Sequence, residues 1–259
     1  MNKLFRMFAL AILMIIGSQA MAQTRGALFV GASFPMKDYK EFNNFNDFAL
    51  TSTNASATYG GAGVGFNAGL KWYFNVGVKG LDVLLSLDGF YNGPCKDLKN
   101  TYREQEGASG SQILGGSFKY NATPKYINVP LMLGLNYMYH INPNFGVYVE
   151  AGAGANLRFI TSMESVAKMT IIGVDNQITT TQKYDKAFSF AYQAGIGIEV
   201  AQNLVIGCSF YDLGGAAVGG EQTIKTKTLN DNVTTTMNDY REFGTVRPMM
   251  ILGRIGFSF

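Results

Sequence analysis

Eight segments of the chain alternate apolar with small or polar residues at a period of two, the mark of a strand whose two faces differ. The clearest runs from Tyr126 to His140. Ile127, Val129, Leu131, Leu133, Leu135, Tyr137 and Tyr139 fall on one face, with Tyr126, Asn128, Pro130, Met132, Gly134, Asn136, Met138 and His140 on the other. Val147 to Phe159, Phe188 to Val200, Val64 to Trp72 and Leu81 to Tyr91 repeat the pattern. Ala27 to Phe34 and Leu204 to Tyr211 are fainter, and Pro248 to Phe259 closes the series. A soluble sheet uses strands of about 5–6 residues, whereas a tilted membrane strand needs about 9–11.

The connections alternate as well. Asn75 to Gly80, Ile141 to Phe145 and Ala201 to Asn203 are short, while residues 35–60, 93–123, 161–186 and 214–246 are long and polar. That order predicts an up-and-down meander with short periplasmic turns and long outer loops. In the last loop Gln222 to Leu229 alternates with Val233 to Tyr240 around Asn230-Asp231-Asn232, which predicts a hairpin standing above the membrane. The polar faces carry mostly Gly, Ser and Asn rather than the Lys and Glu of a water-facing sheet. Such a face suits a narrow, side-chain-filled interior, and only closure leaves no unpaired backbone group in hydrocarbon. The expected fold is therefore all-β: a closed up-and-down antiparallel transmembrane barrel of eight strands. Trp72, Tyr137, Tyr139, Phe257 and Phe259 would mark its periplasmic interface, and Phe34, Tyr91, Phe159 and Phe188 its outer one.

The N-terminus reads as a processing signal. Lys3 and Arg6 precede an apolar run from Met7 to Gly17, too short to cross a bilayer as a helix. Ala20-Met21-Ala22 follows as a small-residue cleavage pattern. The expected division is a signal peptide at 1–22 and one outer-membrane barrel domain at 23–259. Losing residues 1–22 leaves 19 basic against 18 acidic residues, so the charge gives no ground for a nucleic-acid partner. Cys95 and Cys208 are too few and too far apart for a disulfide scaffold and are read as free thiols.

Three stretches carry a resemblance. The last strand, with Met249, Ile251, Ile255, Phe257 and Phe259 on one face and a terminal Phe, resembles the signal read by the outer-membrane assembly machinery. Tyr126-Ile127-Asn128-Val129-Pro130-Leu131 and Phe90-Tyr91-Asn92-Gly93 resemble segments of small Bacteroidetes outer-membrane barrels, the PorT-like or OmpX-like group. The resemblance implies a barrel fold, a Gram-negative outer-membrane location and that assembly route, with Ile255, Phe257 and Phe259 as the assembly signal. It implies no role in secretion.

Candidate chemistry centres on charges that the alternation places inside: Lys71, Asp82, Asp88, Glu150, Arg158, Glu199 and Arg254. Opposite charges in a lumen of low dielectric are expected to pair, since a lone one is costly. Gly63-Val64-Gly65-Phe66-Asn67-Ala68 matches a dinucleotide-binding pattern, but alternation continues through it where a helix would have to begin. His140, the single histidine, falls at the periplasmic end of its strand. No catalytic residue, cofactor or metal site is expected, and the chain is read as not an enzyme. The favoured function is a barrel presenting its outer loops for structural or interaction roles, with lipid, the assembly machinery and envelope proteins as partners. A narrow porin-like channel is the second reading, and a lipid-modifying or hydrolytic enzyme the third.

Overall fold

The computed structural model describes residues 24–41, 60–112, 117–171, 174–228 and 233–259. The signal peptide, most of the first long loop and the Asn230-Asp231-Asn232 turn lie outside the described residues.

Eight strands form the barrel: β1 (Thr24–Met36), β2 (Ala62–Asn75), β3 (Leu81–Pro94), β5 (Tyr126–Asn142), β6 (Phe145–Ile160), β9 (Ala187–Val200), β10 (Leu204–Asp212) and β13 (Met249–Ser258). They close in the order β1-β13-β10-β9-β6-β5-β3-β2, all pairs antiparallel. The closing pair sets Ala27 opposite Ser258 and Met36 opposite Met249. Its lower end is finished by Phe259 N–H donating to Gly26 O at 2.8 Å and Gly26 N–H donating to Phe259 O at 2.9 Å. Each of the eight strands expected from alternation is present, most of them longer than the alternation alone marked.

The short turns follow from their residues. Asn75 Oδ1 accepts from Gly77 N–H at 2.7 Å, and Gly77 and Gly80 take positive φ, which glycine adopts without penalty. At the third turn Ala201 and Gln202 both have positive φ (53° and 67°), matching the twist of the flanking strands in the manner of a primed hairpin turn.

Three of the long connections carry secondary structure, of which only the hairpin in the last was expected. Helix α1 (Lys96–Gln112) and β4 (Ser117–Ala122) fill the first of them. β7 (Met163–Ile171) and β8 (Val174–Tyr184) fill the second, and β11 (Ala216–Thr228) and β12 (Thr234–Val246) the third. These strands make a second, five-stranded sheet in the order β12-β11-β8-β7-β4. The hairpin expected over 222–240 is β11–β12, joined where Thr228 N–H donates to Val233 O at 2.9 Å. Loop polarity had concealed the rest, because strands with two wetted faces carry polar side chains on both.

The outside of the barrel is apolar and uncovered. Leu28 and Val30 are each 51% exposed on β1, Leu131 50% on β5, and Phe190 69% and Ile196 62% on β9. A contiguous apolar belt of this kind is insoluble in water and stable against acyl chains. The barrel strands run from 9 to 17 residues, long enough to span the hydrocarbon when tilted. Trp72, Tyr137, Tyr139, Phe257 and Phe259 ring the short-turn end, and Phe34, Phe159 and Phe188 the other, as belts of amphipathic rings do at membrane interfaces.

Candidate functional site: a filled lumen beneath an extramembrane sheet

The lumen contains a buried ion cluster. Lys71 on β2 and Arg254 on β13 both donate to Glu150 Oε1 on β6, and Arg254 Nη1 lies 3.9 Å from Asp88 Oδ1 on β3. All four side chains are essentially inaccessible. Tyr211 from β10 completes the cluster, donating its hydroxyl to Asp88 Oδ2 at 2.9 Å and accepting from Arg254 Nη1 at 3.2 Å. Phe29 offers its ring face to both cations, with Arg254 Cζ 4.9 Å and Lys71 Nζ 5.3 Å from its centroid. Small residues make the space: a Cβ on Gly69 would sit 2.1 Å from Asp88 Oδ1, so that strand must carry glycine there for the carboxylate to turn inward.

Of the seven charges expected inside, these four come together. Glu199 pairs instead with Arg25 near the short-turn end. Asp82 stays half-buried there, 3.5 Å from Asn136 Nδ2. Arg158 sits at the opposite end and departs from the expected pairing. Its guanidinium meets no carboxylate among the described residues, donating instead to the carbonyls of Val246, Ala216 and Ala217 at 2.9, 3.0 and 3.1 Å. Arg25 and Tyr211 were not singled out in the sequence, although the parity of their strands would have turned both inward.

Above and below the ion cluster the lumen is packed with apolar side chains interleaved with buried amides such as Asn92, Asn128, Asn136 and Asn156. Phe90, Tyr126, Met132, Tyr211, Met250 and Leu252 fill the upper part. Phe29, Tyr73, Leu84, Met138 and Tyr148 fill the lower. The short 3-10 turn Lys37–Tyr39 after β1 inserts Tyr39 into the mouth, fully buried, edge-on to Tyr126 at 5.7 Å and accepting from Asn128 Nδ2 at 3.2 Å. Pairing four charges and burying rings on both sides of them fills much of the lumen with side chains.

The remaining sequence candidates keep structural surroundings. The Gly63–Ala68 pattern lies wholly inside β2, where a Cβ on Gly65 would sit 2.0 Å from Tyr91 O; close strand approach accounts for that glycine. His140 is exposed near the β5–β6 turn, opposite Gly146. Cys95 and Cys208 are free thiols. Ile255, Phe257 and Phe259 point outward from β13, between 47% and 71% exposed. Among the described residues, no cluster of His, Cys, Asp and Glu has the make-up of a metal site.

Above the barrel, α1 packs on one face of the five-stranded sheet. Leu98 and Tyr102 meet Met163, Tyr120 and Tyr184, and Glu106 Oε1 accepts from Tyr120 N–H at 2.8 Å. Burial raises the pKa of both Tyr102 and Tyr120, so these phenols are neutral hydrogen-bonding groups at any physiological pH. The opposite face of the sheet is uncovered at its charged positions, and the edge strand β12 is exposed from Thr234 to Tyr240 on both faces.

No protein-family model matches the chain, and no curated protein matches it. Solved structures similar to it include a major outer membrane protein from Thermus thermophilus, at 12% identity over 92% of this chain and 100% of that one, with a TM-score of 0.37. OprG from Pseudomonas aeruginosa is similar at 10% identity over 91% of this chain and 94% of that one, TM-score 0.34. Ail of Yersinia pestis is similar at 16% identity over 92% and 99%, TM-score 0.35.

Proposed function

We propose that this protein is a non-catalytic barrel of the Gram-negative outer membrane whose work is done outside the bilayer, by the sheet it holds above the surface. The observation that carries the reading is β12. It is an edge strand of 13 residues, paired along one side with β11 and with no strand on its other side among the described residues, and Met237 and Tyr240 on it are exposed at 66% and 60%. Soluble domains blunt or cover such edges, because they recruit partners; main-chain pairing along an open edge is a common mode of recognition. The apolar belt supports the membrane setting, and the packed lumen argues against a channel.

The test places a photo-crosslinking residue at Thr236, on β12, and at Lys79, in the turn after β2 at the far end of the barrel. Envelope or surface components are expected to crosslink at Thr236 and not at Lys79. The purified barrel is expected to give no discrete conductance steps in planar bilayers. Steady unitary conductance, or crosslinking at Lys79 alone, would overturn the reading.

A further inference from the structure

The register of the extramembrane sheet gathers lysines onto the face opposite α1. One row across the strands reads Ser117, Lys168, Gln177, Lys227, Thr234; the next reads Lys119, Val166, Thr179, Lys225, Thr236. All four lysines are exposed, and the structure gives none of them an ion-pair partner among the described residues. Lys225 and Lys227 stand about 7 Å apart along β11, two residues of extended chain. Lys119 and Lys168 sit on the neighbouring strands β4 and β7. Two to three strand spacings, about 10–14 Å, separate the pairs. Between them lies β8 with Gln177 and Thr179, one amide and one hydroxyl.

The acids of this face keep out of the two rows. Asp175 lies at the hairpin tip and accepts from Thr170 Oγ1 at 2.6 Å. Glu164, Glu221, Asp185 and Glu242 lie nearer the barrel, together with Lys183. Glu164 accepts from Asn121 Nδ2 at 2.8 Å and Asp185 from the Tyr240 hydroxyl at 2.7 Å. The result is a cationic band running across the strands, bounded by acids above and below.

From this band we infer a binding face for a linear acidic polysaccharide, lying across the strands so that its anionic groups meet the two lysine pairs and its hydroxyls meet Gln177 and Thr179. The inference rests on the reading of the sheet as the working part of the molecule and assigns a ligand to its lysine face, apart from the strand edge of β12. Charge complementarity selects a polyanion. Neither row carries an aromatic side chain, so the base stacking that holds single-stranded nucleic acid has no platform. Lys225 stands nine residues along β11 from Ala216 at the barrel rim, up to about 30 Å, which takes the band beyond the headgroups of the protein's own bilayer.

The experiment measures binding of the purified full chain in lipid nanodiscs to immobilised chondroitin sulfate, with neutral dextran and duplex DNA as comparison surfaces. The wild type is expected to bind chondroitin sulfate, weaken as salt rises, and ignore dextran. Each double variant, K225Q/K227Q and K119Q/K168Q, is expected to lose affinity about tenfold or more, given the usual contribution of a lysine at an anionic surface. K96Q/K99Q, which removes two exposed lysines from α1, is expected to leave it unchanged. Exposed lysines contribute little to folding, so the variants retain the barrel, checked by its heat-modifiable gel mobility. Absence of binding, equal loss in K96Q/K99Q, or tighter binding to DNA would each overturn the inference. If crosslinking at Thr236 persists while polysaccharide binding is absent, the ligand assignment alone fails; if both are absent, the platform reading fails with it.

Discussion

Among the described residues, Glu150 is the one carboxylate that both buried cations of the mid-barrel touch, so the cluster cannot lose it without leaving charge uncompensated. Replacing it by Gln preserves shape but leaves Lys71 and Arg254 facing Asp88 alone. Breaking a buried pair by removing one partner costs about 3–5 kcal/mol. E150Q is therefore expected to unfold at clearly lower urea concentration when refolded in liposomes, and K71M added to it should recover part of the loss by restoring neutrality. An E150Q midpoint equal to the wild type would show that the cluster carries no net energy. Sequence parity alone turned these residues inward. It could not pair them, because pairing depends on which strands are neighbours and on how far each side chain reaches. Arg158 shows the same limit, as its partners are backbone carbonyls that no side-chain pattern announces.

At the scale of elements, the barrel strands were legible because lipid on one side and a packed lumen on the other impose opposite chemistry on alternate residues. Leu133 tests the outer half of that statement. It lies midway along β5, opposite Leu85 on β3 and Ala153 on β6, on the lipid side. L133R is expected to destabilise the folded barrel by about 2–4 kcal/mol in a liposome folding titration; a negligible change would mean that this face does not meet hydrocarbon. The extramembrane strands were hidden for the converse reason. Both faces of β8 and β11 carry polar side chains, with Val174, Ile178, Val218 and Ile224 spread thinly along one of them, so the period-two contrast in their hydropathy is weak. The β11–β12 hairpin was the exception, since its two halves mirror each other about a polar turn. Helix α1 was missed because its apolar face is narrow: Leu98 and Tyr102 carry the contact in a segment otherwise rich in charge and small residues.

For the whole molecule the question is how a sheet standing in water is held rigidly to a barrel standing in lipid. Three devices reach across the junction. Tyr39 enters the barrel mouth from the segment after β1. Arg158, from the top of β6, binds the carbonyls at the start of β11 and the end of β12. Val218 and Val246, from the same two strands, bury with the upper lumen core. The arginine thus ties the exit and re-entry of the β11–β12 hairpin to a strand of the barrel wall. R158M keeps most of the apolar stem but removes every donor, leaving three carbonyls to find other partners at about 1–3 kcal/mol each where they stay dry. The ion cluster and the lipid belt are untouched by that change, so the barrel is expected to keep its heat-modifiable mobility. Proteolytic nicking between β10 and β13 is expected to accelerate several-fold at the same time, because the hairpin opens locally without global unfolding. Loss of the folded barrel in R158M would instead show that the two parts fold as one cooperative unit. Unchanged nicking would show that the Tyr39 and valine contacts suffice to hold the sheet in place.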